Sequence, residues 1–313
     1  MTKDINILFL GASKRVTLLE QFNKAANEVG VKLNMFSCEI KKDFYPISHL
    51  AEIMEGPKFS DQRFLSWLDA AINSKNINIV IPNMDQATVA LSYFKENFKK
   101  PDCWCVVSSY DLCVKMNDKL LADEFFKTNN IPTFQNTSRY PKMVKAKLGY
   151  GAKGQYLVNN PQELKLLQER INMSDYIVQD YKKGQESSVD IYKSPKFGLV
   201  GYVVRDRLVV SDGEVMDCLT RIPEGDEKKL IETVASIDGW EGCITLQYMK
   251  YFDNTFNVVE INPRFGGGST CGIACGLDMP KYILLEYMGQ NFDKPVIRNL
   301  KMVRARRDFY YEC

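Results

Sequence analysis

Short apolar runs alternate with stretches of helical period from the start of the chain. Ile5–Leu10 is an apolar run of strand length closed by Gly11, the pattern of a strand buried on both faces. The segment that follows, to about Val29, places Val16, Leu19, Phe22 and Ala26 at spacings of three and four, and Gly30 ends it. Val31–Phe36 and Ile77–Ile81 repeat the strand pattern, the second closed by Pro82, and Trp104–Ser108 is a further strand. Between them Phe64–Ile72 and Asp85–Phe98 read as helices, the latter capped by Asp85. Strand–helix alternation of this kind predicts a parallel sheet with helices on both faces.

From Asp111 the texture changes. Lys115–Lys119 leads into a helix that runs to about Asn129 and breaks at Asn130-Ile131-Pro132. Pro141–Ala146 is a short strand displaying Lys145, residues 161–171 form an amphipathic helix, and Tyr176–Tyr181 and Ser187–Tyr192 are strands. Phe197–Arg205 and Leu208–Ser211 read as paired strands around Arg205-Asp206-Arg207, with a turn at Asp212-Gly213-Glu214. A helix over Lys228–Ile237 precedes strands Cys243–Tyr251 and Phe256–Asn262, joined by a hairpin turn at Asp253-Asn254. Ser269–Cys275 and Met279–Gly289 suggest helices and Met302–Tyr311 a last strand. There is no internal repeat. A division into an α/β region, 1–110, and an α+β region, 111–313, suits the length of 313 residues.

Composition narrows the chemistry. The net charge of +2 gives no global signal for a nucleic-acid or anionic-membrane partner, and Arg304-Ala305-Arg306-Arg307 is a short basic run beside Asp308. No apolar run approaches the roughly 18 residues of a membrane span, and Ile5–Leu10 lacks the length and cleavage pattern of a signal peptide. The nine cysteines are scattered without paired zinc-like spacings, which points to small buried residues and a reducing, cytoplasmic compartment. His49 is the single histidine and sits in a loop-like stretch, so an imidazole triad has no material. Lysine, arginine, glutamate and a metal suit this composition better.

The stretch Phe256–Gly268 concentrates such groups. A strand period of two puts Val258, Glu260 and Asn262 on one face, with Val259 and Ile261 on the other. Pro263 ends the ladder, Arg264 stands just beyond it, and Gly266–Gly268 follow. A carboxylate and an amide two residues apart suit magnesium, which takes oxygen ligands and shares them with phosphates. The guanidinium can pair with a phosphoryl oxygen, and glycines let backbone approach an anion. Gln247, on the neighbouring antiparallel strand, can share the same metal. A solvated strand end with a glycine turn would carry the same residues.

Two other stretches add to it. Lys147–Gln155 is a glycine-bearing loop with two lysines, without the G-x-x-x-x-G-K-[ST] of a Walker A loop; its N–H groups can cover phosphates that Lys145 reaches. Glu186, at the restart of the strand pair around Lys182–Gln185, can hold ribose hydroxyls or be an ordinary hairpin residue. In the first region the turn Gly11–Val16 has one glycine and no G-x-G-x-x-G, so a dinucleotide is disfavoured. That turn and Asn83–Gln86 lie where open α/β sheets bind ligands, and plain turn chemistry fits them equally well.

As an ordered set, Lys119 within Asn117-Asp118-Lys119, Lys145 before a glycine loop, Gln179 to Glu186, Gln247 and Glu260-x-Asn262-x-Arg264 resemble the ATP-grasp superfamily. Within it the chain is most similar to the carbamoyl-phosphate-synthetase-like ligases, over nearly its whole length. The resemblance implies a parallel-sheet pre-ATP-grasp domain, then an ATP-grasp fold of two α+β subdomains clamping a nucleotide, with a lid subdomain at about 130–180. It implies Lys119 and Lys145 on the phosphates and a lid loop with Gly151, Lys153 and Gly154. It further implies Gln179, Asp180 and Tyr181 at adenine, Glu186 on the ribose, and Gln247, Glu260 and Asn262 on magnesium. Many members carry a carboxylate where Gln247 stands, and carbamoyl phosphate synthetases carry glutamine.

The implied chemistry has two steps. A substrate carboxylate attacks the γ-phosphate of ATP, and an amine then displaces phosphate from the acyl phosphate. Arg264 would stabilise the transferred group, with Arg205 and Gly266–Gly268 as holders of the carboxylate or acyl phosphate; Arg205 and Arg207 flank Asp206, so at most one side of their strand faces the site. The partners are therefore small-molecule acids and amines, with neither nucleic acid nor membrane, and a homodimer is compatible with the resemblance. The alternatives are a ligase with a hydroxyl or thiol acceptor, and a non-catalytic nucleotide-binding module.

Overall fold

The computed structural model describes residues 4–149, 154–211 and 213–312. The first region folds as β1 (Asp4–Leu10), α1 (Val16–Val29), β2 (Lys32–Glu39), β3 (Glu52–Glu55), α2 (Phe64–Ser74), β4 (Ile79–Pro82), α3 (Asp85–Asn97) and β5 (Trp104–Cys105). Its strands lie parallel in the order β3-β2-β1-β4-β5. The apolar run of β1 serves both faces. Ile5, Ile7 and Phe9 pack with Leu19 and Phe22 of α1, while Leu8 and Leu10 pack with Phe64, Leu68 and Leu91 of α2 and α3. Gly30, at φ 72°, ends α1 in the left-handed conformation expected of a glycine stop. Asp85 begins α3 without capping it, because its carboxylate accepts from Arg264 Nε at 2.6 Å instead.

Two short helices follow, α4 (Tyr110–Asn117) and α5 (Lys119–Thr128), where one was expected. Asp118 separates them: its backbone is extended, and its Oδ1 accepts from Leu120 N at 2.8 Å, capping α5. Next come β6 (Lys142–Ala146), β7 (Gln155–Val158), α6 (Pro161–Gln168) and β8 (Tyr176–Asp180), with the strands antiparallel in the order β7-β6-β8.

The remainder builds one antiparallel sheet of order β13-β12-β9-β10-β11-β14. Its parts are β9 (Gln185–Ser194), β10 (Gly198–Ser211), β11 (Glu214–Arg221), α7 (Gly225–Ser236), β12 (Gly242–Lys250), β13 (Phe256–Asn262), α8 (Ser269–Ala274), α9 (Met279–Tyr287) and β14 (Lys301–Val303). Three expectations are corrected here. The two strands foreseen around Asp206 are the single strand β10, because Asp206 finds partners on one face, accepting from Ser187 Oγ and from Arg221 Nε, each at 2.7 Å. The chain after Ser211 returns as β11 and pairs with β10, so the foreseen turn leads into a strand. The last strand ends at Val303, not Tyr311; beyond it the chain crosses to the first region, where Arg307 meets Glu20 at 2.9 Å and Tyr311 Oη donates to Tyr45 O.

The core does not respect the boundary at 110. One buried cluster joins Ile7, Phe9 and Phe22 to Tyr192, Phe265, Tyr282 and Leu284. The first sheet is therefore packed on α9 and the end of the large sheet. This packing brings the carboxyl ends of β1 and β4 to the chain that follows β13.

Candidate functional site

The site grows from the β12–β13 hairpin. Gln247 lies directly opposite Glu260, and Thr245 opposite Asn262. Between these pairs and the turn the register shifts, since Tyr248 opposes Val258 and leaves Val259 extra. The bulge breaks the simple alternation of β13. Val258 and Ile261 both enter the core, whereas Val259 and Glu260 both line a cleft, so the face expected to carry Val258 with Glu260 is divided. Asn262, buried, donates from Nδ2 to Glu260 Oε1 at 2.8 Å.

The cleft, about 390 Å³, lies between this sheet and the three-stranded one. Lys119, Lys145, Glu186, Arg207, Gln247 and Glu260 all line it. Lys119 opens α5, and its Nζ donates to Gly149 O at 3.1 Å, while Lys145 projects from β6 with Nζ 5.2 Å from the Phe134 ring centre. Burial and the neighbouring Lys119 pull the Lys145 ammonium below the ordinary lysine value, although Glu260 and Glu186 oppose this. Burial, with Glu260 nearby, pushes the Glu186 carboxyl up against the opposite pull of Arg207 and Lys145. Each of these groups is thus in the field of the others. Gln247, Glu260 and Asn262 supply side-chain oxygens with a single negative charge among them, a donor set that fits a hard divalent cation.

Gln179, Asp180 and Tyr181 reach the same cleft from the end of β8. The Asp180 carboxylate accepts from Lys142 Nζ at 2.9 Å and from Thr137 N at 3.1 Å, so it is spent within its own sheet. The Asp180 and Tyr181 N–H groups donate to Gln135 O and Pro141 O. Gly154, at φ +67°, closes the end of β6 through its carbonyl, which accepts from Ala146 N at 3.0 Å. Gly151 and Lys153 lie outside the described residues.

Arg264 stands at the far end of the strand. Its Nε donates to Asp85 Oδ1 and its Nη1 to Phe265 O at 3.2 Å. Burial acts to lower its pKa, but Asp85 and Glu260 outweigh it and hold Arg264 above the usual value.

Arg205 is not in the cleft. Only 1 % exposed, it spreads its fork over Asp190, with Nε to Oδ2 at 2.7 Å and Nη2 to Oδ1 at 2.9 Å. A Cβ on Gly268 would stand 2.3 Å from its Nη1, so the glycine is needed where the chain crosses over this guanidinium. The arginine two residues on, Arg207, reaches the cleft instead. Its Nη1 donates to Glu186 Oε1 at 2.7 Å and to Gln247 Oε1 at 3.2 Å. The i, i+2 spacing put both on one face, but nothing in the sequence said which lay deeper.

Arg15, from the first turn of the chain, was also missed as a site residue. Its Nη1 donates to Gly266 O at 3.0 Å, and burial together with Arg264 and Arg304 lowers it to about 10. The turns at residues 11–16 and 83–86 thus both touch the chain after β13, Arg15 at Gly266 and Asp85 at Arg264. Their position at strand ends was the available signal.

A three-stranded antiparallel sheet and a larger one enclosing lysines, Glu186 and the Gln247–Glu260 pair is the ATP-grasp arrangement. The family model described as ATP-grasp in the biosynthetic pathway with Ter operon matches residues 172–307. The chain has an ATP-grasp-like fold. The chain is similar in fold to N5-carboxyaminoimidazole synthetase from Staphylococcus aureus complexed with ADP, with a TM-score of 0.76 at 17 % identity, over 97 % of this chain and 83 % of that one. It is also similar to biotin carboxylase from Campylobacter jejuni in its β,γ-ATP complex, with a TM-score of 0.72 at 18 % identity, over 93 % and 73 %. By sequence, no curated protein matches it. The likeness to these structures is one of fold.

Proposed function

We propose that this ATP-grasp protein is an ATP-dependent ligase that activates a substrate carboxylate as an acyl phosphate and transfers the acyl group to an amine. The observation that carries the reading is the convergence on one cleft of Lys119, Lys145, Glu186 and the directly paired Gln247 and Glu260. The similar structures, complexed with ADP and with β,γ-ATP, support a nucleotide there.

In this reading Gln179–Tyr181 face the adenine and Glu186 takes the ribose hydroxyls. With the N–H groups of Asp180 and Tyr181 already engaged, the adenine is met by other groups of that segment. Lys119 and Lys145 draw the phosphates inward, and the Gly149–Gly154 loop, with Gly151 and Lys153, covers them. Glu260 and Asn262 would hold magnesium, with Gln247 as the neutral oxygen opposite Glu260, and the ion when bound would screen the phosphate oxygens and polarise the transferred phosphorus. Arg264 stands beside Glu260, oriented by Asp85, where it can hold the reacting carboxylate and the phosphoryl oxygens that gain charge. The carboxylate oxygen attacks the γ-phosphorus as the β–γ bridging bond breaks to release ADP. The amine nitrogen then adds to the acyl carbon, phosphate leaves, and the nitrogen gives up a proton. Such catalysis is positioning and charge neutralisation, and it needs no imidazole base.

Thermal unfolding with nucleotides tests the first requirement. Magnesium-ATP is expected to raise the midpoint by binding the native state, and NAD to leave it unchanged. A midpoint insensitive to ATP would contradict the reading.

A further inference from the structure

We infer that the guanidinium of Arg207 takes the place of a second metal ion in the nucleotide cleft, so that the bound nucleotide recruits one divalent cation to this protein rather than two. The inference rests on the ligase reading above.

Arg207 is an unusual cleft residue. Its side chain is only 7 % exposed, although it lines the cleft. Nη1 is shared between Glu186 Oε1 and Gln247 Oε1, Nη2 donates to Gly213 O at 2.9 Å, and buried Nε has no partner among the described residues. Arg207 is paired with Glu186, and the charged groups that line the cleft, Lys119, Lys145, Lys182 and Arg207 against Asp180, Glu186 and Glu260, leave one positive charge over. A cleft with a net positive charge is retained where an anion completes it, and a polyphosphate is such an anion.

Its contact with Gln247 decides the metal count. Gln247 is a neutral oxygen donor, opposite Glu260. A cation on its Oε1 would share that atom with a guanidinium nitrogen already 3.2 Å away, at full charge and in a poorly hydrated place. Two positive groups on one neutral oxygen repel more strongly than the oxygen attracts either. Glu260 and Asn262, joined by their own hydrogen bond, remain as the anionic donor pair for one ion. A planar fork that cannot deprotonate is suited to the duty a second ion would otherwise perform.

The test counts metal directly. The protein is titrated with Mn²⁺ in the presence of the non-hydrolysable β,γ-methylene analogue of ATP, and free Mn²⁺ is followed by electron paramagnetic resonance. One tightly held Mn²⁺ per bound nucleotide is expected for the natural chain and for Arg207→Lys. Arg207→Gln, which keeps a polar partner for Glu186, is expected to hold two. Two ions of similar affinity in the natural chain, or a single ion in Arg207→Gln, would overturn the inference and leave the ligase reading standing. Failure of the nucleotide itself to bind would overturn both.

Discussion

Glu260 bears the greatest demand of any single residue, as the one negative charge among the proposed metal donors. It is paired with Gln247 across the hairpin and bonded to Asn262, so Glu260→Gln preserves shape and hydrogen bonding while removing the charge. That variant is expected to unfold at the same temperature and to lose about 100-fold or more of magnesium-dependent turnover. Unchanged turnover in steady-state kinetics would remove Glu260 from the metal. The titrating neighbours predict a pH signature. Glu186, with its pKa raised, protonates above the usual glutamate range, and Lys145, with its pKa lowered, loses its charge below the usual lysine range. Nucleotide affinity should therefore weaken early on both the acid and the alkaline side. Calorimetric titration should show Glu186→Gln losing the acid limb and Lys145→Arg shifting the alkaline limb upward. Glu260, Lys145 and Glu186 were visible in the sequence as charged residues at strand ends beside glycine turns. Arg15 and Arg207 were not, because their roles depend on which turn and which depth of strand the fold brings inward.

At the scale of elements, β10 shows how one strand separates structural from functional charge. Arg205 and Arg207 share a face, yet Arg205 closes on buried Asp190, which also accepts from Ser269 Oγ at 2.7 Å, while Arg207 faces the cleft. Removing one partner of such a buried pair costs about 3–5 kcal/mol. Arg205→Met should thus lower the unfolding midpoint sharply while the folded fraction keeps near-natural turnover per nucleotide site, measured by active-site titration. A stable protein with abolished turnover would return Arg205 to the chemistry. The strand itself was legible only in halves. Asp206 looked like a break because its partners, Ser187 and Arg221, come from two other strands and leave no local mark. The bulge at Val259 was equally invisible, since a one-residue register shift against β12 has no signature within β13. Strands whose apolar run is bounded by glycine or proline, such as β1 and β4, were legible because their limits are set by their own residues.

Over the whole molecule, the first sheet and the ATP-grasp portion share a core. Phe9 and Phe22 pack in one cluster with Phe265 and Tyr282, and Phe22 meets Phe265 edge-on at 5.9 Å between ring centres. Arg15 and Asp85 cross the same boundary to reach Gly266 and Arg264. A fragment of residues 1–110 should therefore lack a cooperative thermal transition, whereas the full chain should melt in one. Independent, cooperative folding of the fragment would restore a domain boundary at 110. The alternation of strands and helices foretold the first sheet, but this shared core was not legible, because apolar residues announce burial without naming what covers them.

The acyl phosphate is the central claim, and hydroxylamine tests it most directly. ADP release would be measured with magnesium-ATP and pools of carboxylic acids, amino acids among them, with hydroxylamine as the acceptor. Acid-dependent ADP together with a hydroxamate product is the predicted result, since the nitrogen nucleophile intercepts the activated carboxyl. Magnesium-ATP bound by the protein, with no acid in any pool raising ADP release or yielding hydroxamate, would contradict it and leave a nucleotide-binding module without ligase chemistry.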